Sequence, residues 1–136
     1  MCDHAAVVGM AHRERSLERL REICLVLPET SERPSHGAPT FFVREKRAFL
    51  MLVTDHHGDG RFAIWCAAPP GMQQVLVEGD PEHFFVPPYV GHRGWLGVRL
   101  DRDLPWDQIE GIVEDAYAEV APAKLLEAAR ASTRST

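Results

Sequence analysis

Three short apolar segments, separated by turn residues, dominate the middle of the sequence. They cover residues 40–43, 48–53 and 61–66 and are rich in Phe, Val, Ile and Trp, the residue types that favour β-strands. The connecting segments 44–47 and 54–60 have lengths typical of antiparallel hairpins. The sequence therefore predicts an antiparallel meander on which any helices must pack.

Further elements flank this meander on both sides. Apolar residues recur at helical spacing from Leu17 to Leu27, where Pro28 ends the helix. The proline-rich segment 28–39 is expected to be a loop. After a short helix over 72–78 and a second connector over 80–91, apolar and polar residues alternate over 95–100, which predicts one more strand.

The C-terminal helix has the clearest pattern in the chain. Pro105 suits its first turn and Pro122 marks its end. Its apolar face is formed by Ile109, Ile112, Val113, Ala116, Tyr117 and Val120. The order of elements predicts an α+β fold, an antiparallel sheet with the N- and C-terminal helices packed on one face. A single domain is expected over 14–130, with flexible tails at 1–13 and 131–136.

Acidic residues are concentrated in the C-terminal helix. Six acids and no Lys or Arg lie between Asp103 and Glu119, so the rest of the chain carries a formal charge of +1 although the net charge is −5. Net charge therefore does not exclude a nucleic-acid partner. The same acids could attract hard cations loosely, but they are also the ordinary polar face of an amphipathic helix.

The cysteines and the N-terminal sequence favour a cytoplasmic location. Cys2, Cys24 and Cys66 are widely spaced without a C-x-x-C pair, which is typical of reduced thiols. The first residues lack the basic and apolar regions of a signal peptide, and no apolar run is long enough to cross a bilayer. We expect no membrane association and a monomer or weak homodimer.

Several unusual strings occur in one order along the chain. They are Leu27-Pro-Glu29, His36-Gly-Ala-Pro-Thr-Phe41, Phe84-Phe-Val-Pro-Pro-Tyr-Val-Gly91 and Gly94-Trp95. Together they resemble the MmcQ/YjbR family over roughly Leu17 to Leu126. The resemblance implies a CyaY/frataxin-like two-layer sandwich and DNA binding through a pair of hairpin wings. Many relatives have Gly just before the Lys of the first hairpin, whereas this chain has Glu45, an acid inside the proposed basic wing.

The first candidate binding element is the hairpin turn at Arg44, Lys46 and Arg47. Three bases on a projecting turn can contact phosphates, and each neutralised phosphate releases a counterion. Exposed hairpin turns also carry charge simply because water solvates them, so a solvated turn is the alternative interpretation.

The second candidate lies around the predicted last strand. If Leu96 and Val98 face the core, strand alternation places Trp95 and Arg99 together on the other face, and Gly97 leaves room for a ligand. An indole beside a guanidinium can stack a base or hold an anion. Alternatively, Trp95 packs beneath the 87–89 loop and Gly97 permits a bulge. The candidate set is completed by His36, Tyr89, His92 and Arg93.

Metal and catalytic signals are weak in this sequence. His56, His57 and Asp59 offer metal donors, yet adjacent side chains diverge on an extended backbone, so ordinary loop histidines are expected and whether they bind metal stays open. There is no G-x-S-x-G, P-loop or G-x-G-x-x-G motif. Neither a cofactor nor a catalytic residue is predicted.

These patterns favour a non-enzymatic binding domain with DNA as its expected partner. Two alternatives remain open. One is a domain that binds a small anionic ligand or a protein partner between the sheet and the Phe84–Gly91 loop, whose aromatic residues suit an apolar pocket. The other is a metal-handling protein of the frataxin type.

Overall fold

The computed structural model describes residues 2–134, with side chains for residues 11–129 and Ala131. The helices are α1 (Cys2–Cys24), α2 (Met72–Gly79), α3 (Trp106–Val120) and α4 (Ala123–Arg134). The strands are β1 (Thr30–Ser35), β2 (Ala38–Val43), β3 (Arg47–Thr54), β4 (Phe62–Cys66), β5 (Phe84–Phe85) and β6 (Leu96–Arg99). Among the described residues, no helix combines the length and the apolar character needed to cross a membrane.

The six strands form one sheet in the order β1-β2-β3-β4-β6-β5, and every neighbouring pair is antiparallel. The predicted α+β class is confirmed, as are the meander β2-β3-β4, the later strand β6 and the helices α2 and α3. The strands form where β-branched and aromatic residues are concentrated, because these side chains pack well on a pleated, buried surface.

The expectation of a loop over 28–39 was wrong. Residues Thr30–Ser35 form β1, which pairs with β2 along its whole length through a turn at His36 and Gly37. Pro34 is tolerated because β1 lies at the edge of the sheet, where a residue without a backbone N–H is least disruptive. Likewise, the connector over 80–91 contains the short edge strand β5.

Helix α1 begins at Cys2, far before the predicted domain boundary at residue 14, and α4 reaches Arg134. His12, which was expected in a tail, packs against the sheet instead. Its ring lies edge-to-face with Phe62, and its Nε2 atom lies 3.1 Å from the carbonyl oxygen of Leu100. The flexibility of the two ends stays a prediction, and Met1, Ser135 and Thr136 lie outside the described residues.

Helices α1 and α3 contact the same face of the sheet. Arg21 of α1 pairs with Glu32 of β1, and Tyr117 of α3 packs edge-to-face on Phe49 of β3. Tyr117 also donates a hydrogen bond of 2.8 Å to the carbonyl oxygen of Pro28. The sheet side of this interface is fully buried and includes Phe41, Leu50, Ile64, Cys66, Leu96 and Val98.

A β-bulge interrupts the pairing of β2 with β3. Phe41 pairs with Leu50, but Phe42 pairs with Ala48, so Phe49 is an extra residue in β3. A bulge of this kind lets two successive side chains point toward one face. Phe49 and Leu50 are accordingly both fully buried. The alternative interpretation of the last strand allowed a bulge at Gly97, but β6 pairs regularly with β4 there.

The β2–β3 turn places two non-glycine residues in the left-handed region. Arg44 has φ 53° and Glu45 has φ 61°, and the amide of Lys46 donates to the carbonyl oxygen of Val43 at 3.2 Å. These features are typical of the tight turns that match the twist of a hairpin. A side chain in this region costs about 1–2 kcal/mol, whereas glycine has no such cost.

We expect Glu45→Gly to stabilise the protein by about 0.5–1 kcal/mol, because relief of left-handed strain exceeds the greater chain entropy of glycine. The shift in the urea concentration at the midpoint of unfolding would measure this gain in stability. Lys46→Gly is the matched control, since Lys46 has no positive φ and glycine there should destabilise the protein. Equal effects from the two substitutions would contradict the assigned turn geometry.

Candidate functional site

The predicted binding residues lie at opposite ends of the sheet. The register aligns Leu50 with Cys66, and Cys66 with Leu96, so the β2–β3 turn and residues 93–95 share one end, the tip end. Thr54 pairs with Phe62, and Arg99 pairs with Ala63, at the other end, the loop end. His36 is exposed in the β1–β2 turn at this loop end. The structure therefore does not bring His36 and Arg99 together with the Arg44–Arg47 turn.

At the tip end, the three predicted bases differ in their partners. Arg44 pairs with Glu29 at 3.2 Å, so its charge is locally compensated. Lys46 and Arg47 are exposed. Arg47 makes a long contact of 3.5 Å with the carbonyl oxygen of Val120. Lys46 and Arg47 are thus the two predicted bases of this turn that remain available to an anionic partner.

Arg33 joins these bases and was not predicted as a site residue. Its Nη1 atom donates a 2.7 Å hydrogen bond to the carbonyl oxygen of Glu45, and its guanidinium lies 3.8 Å from the ring centroid of Phe42. The side chain is exposed. Sequence reasoning missed Arg33 because residues 28–39 were expected to be a loop. Once β1 pairs with β2, Arg33 lies opposite Thr40, diagonal to Phe42.

Trp95 is buried, with only 6% of its surface exposed. The guanidinium of Arg93 lies 5.4 Å from its ring centroid, while the side chains of His92 and Arg93 are exposed. The carbonyl oxygen of Trp95 accepts a hydrogen bond from Gln73. Trp95 therefore packs into the protein, as the alternative interpretation of the last strand predicted. Its ring has no open face on which a base could stack.

The space expected beside Gly97 is filled by the ring of Phe85. A Cβ atom at Gly97 would lie 2.5 Å from two of its ring carbons. Phe84 and Phe85 are themselves buried in the core. The apolar pocket that one alternative hypothesis places between the sheet and the Phe84–Gly91 loop is therefore filled, beside Gly97, by the ring of Phe85.

Arg99 is committed to an internal ion pair. Its Nε and Nη2 atoms donate to the two carboxylate oxygens of Asp101, both at 2.9 Å. Burial acts to raise the pKa of Asp101, but the hydrogen bonds and positive charge of Arg99 outweigh it and hold the pKa below its usual value. The hydrogen bonds to Asp101 likewise raise the pKa of Arg99. Arg99 is thus largely neutralised by a neighbouring acid.

Tyr89 links its loop to the turn after β3. Its side chain is 69% exposed, and its hydroxyl lies 3.3 Å from Nε2 of His57. His56 packs edge-to-face with Trp65 and Tyr89, and its buried Nε2 atom has no hydrogen-bond partner among the described residues. Within the part of the chain that the structure describes, no three or more His, Cys, Asp or Glu side chains are arranged to hold a metal ion.

The two described cysteines are poorly suited to nucleophilic chemistry. Cys24 and Cys66 are buried free thiols. Burial raises the pKa of Cys66 to about 12 and raises that of Cys24 as well. Since the thiolate is the reactive form, both thiols are expected to be inert in the folded protein.

Three cations on or beside the β2–β3 turn therefore stand out; the exposed Arg93 lies at the same end of the sheet, but its guanidinium is placed over the ring of Trp95. Among the described residues, none of Arg33, Lys46 and Arg47 has a carboxylate oxygen within 4.0 Å. Guanidinium and ammonium groups on an exposed turn can donate hydrogen bonds to phosphate oxygens. We call this set the basic tip.

Comparison with known proteins supports the fold and places the chain in a family. The crystal structure of Deinococcus radiodurans protein DR2400, a DUF419 domain, has a similar fold, with a TM-score of 0.66 and 21% sequence identity. The similarity covers 85% of this chain and 86% of that one. No curated protein matches the chain. The family model described as YjbR matches residues 25–119, well over half of the sequence, and the chain therefore belongs to the YjbR family.

Proposed function

We propose that this protein is a binding domain that contacts nucleic acid, with duplex DNA as the expected partner, through the basic tip. The observation that carries the proposal is that Arg33, Lys46 and Arg47 lie on or beside one hairpin turn and, within the described part of the chain, have no carboxylate oxygen within 4.0 Å. The hydrogen bond from Arg33 to Glu45 adds a cation from β1 to the two on the hairpin.

The expected contact is with the phosphate backbone. Phosphate contacts position a protein on DNA but carry no sequence information. The burial of Trp95 supports this mode, because its indole is not available to stack on a base. Glu45 lies within the same turn and opposes the approach of phosphates, so weak affinity is expected.

Salt dependence provides the direct test. If three cations each neutralise one phosphate, the logarithm of the binding constant should fall against the logarithm of salt concentration with a slope of about −3. Fluorescence anisotropy of a labelled duplex of about 20 base pairs, titrated between about 20 and 200 mM NaCl, measures this slope. The combined variant Arg33→Gln, Lys46→Gln and Arg47→Gln should bring it close to zero.

A matched variant separates local contact from total charge. Arg15, Arg102 and Lys124 are exposed cations outside the basic tip, so replacing all three with Gln removes the same charge elsewhere. This control should keep most of the slope. Absence of binding at the lowest salt concentration, or the same loss of slope in both triple variants, would refute the proposal.

A further inference from the structure

Strand β1 lies at the edge of the sheet and pairs on one side, with β2. The amide of Arg44 donates to the carbonyl oxygen of Glu29 at 2.9 Å, in register with this ladder. Because hydrogen-bonded and non-hydrogen-bonded pairs alternate along an antiparallel ladder, every second residue from Glu29 onward directs its backbone groups to β2. The alternate residues direct their backbone groups outward, and they are Thr30, Glu32 and Pro34.

The outward edge of β1 offers four backbone groups to a partner strand. They are the N–H and C=O groups of Thr30 and Glu32, which have no hydrogen-bond partner among the described residues. Pro34 has no backbone N–H, so a longer ladder is interrupted there. A row of unpaired N–H and C=O groups is a template for another strand. The edge is therefore suited to one short partner strand.

A second copy of β1 in antiparallel orientation fits this edge in one register. When Ser31 faces Ser31 of the second copy, Thr30 lies opposite Glu32 on both sides of the two-fold axis. Every outward N–H and C=O group of Thr30 and Glu32 is then paired. The neighbouring registers place Glu32 opposite Glu32, where like charges repel, or opposite Pro28, which has no N–H.

Side chains along the edge are complementary in this register. Glu29, which precedes β1, lies next to the exposed Arg33 of the second copy, so opposite charges meet. The Ser31 hydroxyl is buried without a hydrogen-bond partner among the described residues. Rotation about its Cα–Cβ bond turns it toward the same hydroxyl of the second copy, and the two hydroxyls can share a hydrogen bond.

Helix α1 adds compensated charge and an apolar side chain beside the same edge. Arg21 donates to both carboxylate oxygens of Glu32, at 2.6 and 2.9 Å, which reduces the repulsion between the two copies of Glu32. Leu25 lies one helical turn beyond Arg21, to whose carbonyl oxygen its amide donates, and is 44% exposed. A second copy paired with β1 would cover part of this apolar surface.

We propose that β1 is a homodimer interface, in which two copies pair their β1 strands antiparallel about a two-fold axis at Ser31. The two sheets then form one continuous sheet. The contact is short, so a weak dimer with Kd of about 0.1 mM is expected. This proposal goes beyond nucleic-acid binding. Arg33 belongs to both surfaces, so dimerisation and phosphate contact compete for its charge.

Sedimentation velocity between about 5 µM and about 1 mM protein tests for this dimer. The mean sedimentation coefficient should rise with concentration. Glu32→Pro removes an outward N–H that β2 does not use and should keep the protein monomeric. Glu32→Ala is the matched control, because it loses the same side chain but keeps the N–H and should still dimerise. Lys46→Gln combined with Arg47→Gln should also dimerise, which distinguishes failure of this proposal from failure of nucleic-acid binding.

Disulfide cross-linking tests the register. Ser31 and its copy form a non-hydrogen-bonded pair with Cα atoms about 4.5 Å apart, which a disulfide can span. Ser31→Cys should therefore give a covalent dimer under mild oxidation. The background carries Cys2→Ser, and Cys24 and Cys66 are buried, so the introduced thiol is the one that reacts. Val75→Cys, at a position on α2 that is 69% exposed, is the control and should cross-link far less.

Three results would overturn this proposal: a monomer at every concentration, equal association of Glu32→Pro and Glu32→Ala, or cross-linking no faster in Ser31→Cys than in Val75→Cys. A monomer at every concentration would leave the β1 edge to a strand of a different protein. If circular dichroism shows that Glu32→Pro does not fold, the cross-linking comparison decides, because Ser31→Cys exchanges a single oxygen for sulfur.

Discussion

Phe49→Ala is expected to lower the free energy of unfolding by about 3–5 kcal/mol. Phe49 is fully buried, and its ring meets that of Tyr117 at 5.8 Å with an interplanar angle of 81°. The substitution removes this aromatic pair and leaves a cavity between β3 and α3. Because domains of this size have a total stability of about 5–15 kcal/mol, the loss would take away a large part of it.

Urea unfolding followed by circular dichroism measures the loss in Phe49→Ala. Val75→Ala is the control: this side chain is 69% exposed, so the change should stay within about 0.5 kcal/mol. If the alanine variant does not fold, Phe49→Leu retains most of the apolar volume and should give a smaller, measurable loss. A loss below about 1 kcal/mol in the free energy of unfolding of Phe49→Ala would contradict the assignment of Phe49 as the contact between the β3 bulge and helix α3.

Gly97→Ala and Gly111→Ala are expected to change stability in opposite directions. A Cβ atom at Gly97 would lie 2.5 Å from the ring of Phe85, so Phe85 or β6 must move, at a cost of about 2–3 kcal/mol. Gly111 lies in α3, and its Cβ would meet no atom within 4 Å. There alanine should stabilise the helix by about 0.8–1 kcal/mol.

Thermal unfolding of the two alanine variants tests this opposition. The Gly97→Ala protein should melt below the parent protein and the Gly111→Ala protein above it. A stabilised Gly97→Ala protein would mean that the Phe85 ring does not lie over β6.

The hairpin turn and the last strand show how sequence and structure each contribute to the candidate sites. The exposed positions of Lys46 and Arg47 follow from a short polar segment between two apolar strands, so they could be predicted. The alternation of core-facing and outward-facing residues around Trp95 was also visible in the sequence. The pattern could not show that the outward face of this strand is covered by other side chains. In the structure, the ring of Phe85 covers Gly97 and Trp95 is buried.

Local patterns in the sequence were sufficient for the α+β class, the meander, the later strand, the C-terminal helix and the family resemblance. Apolar periodicity and turn residues act over a few neighbours, so a single chain displays them. Pairings between distant segments were decided only by tertiary structure: Pro34 on an edge strand, the bulge at Phe49, and Arg33 beside the β2–β3 turn. These depend on which surfaces are covered after folding, and no local pattern contains that information.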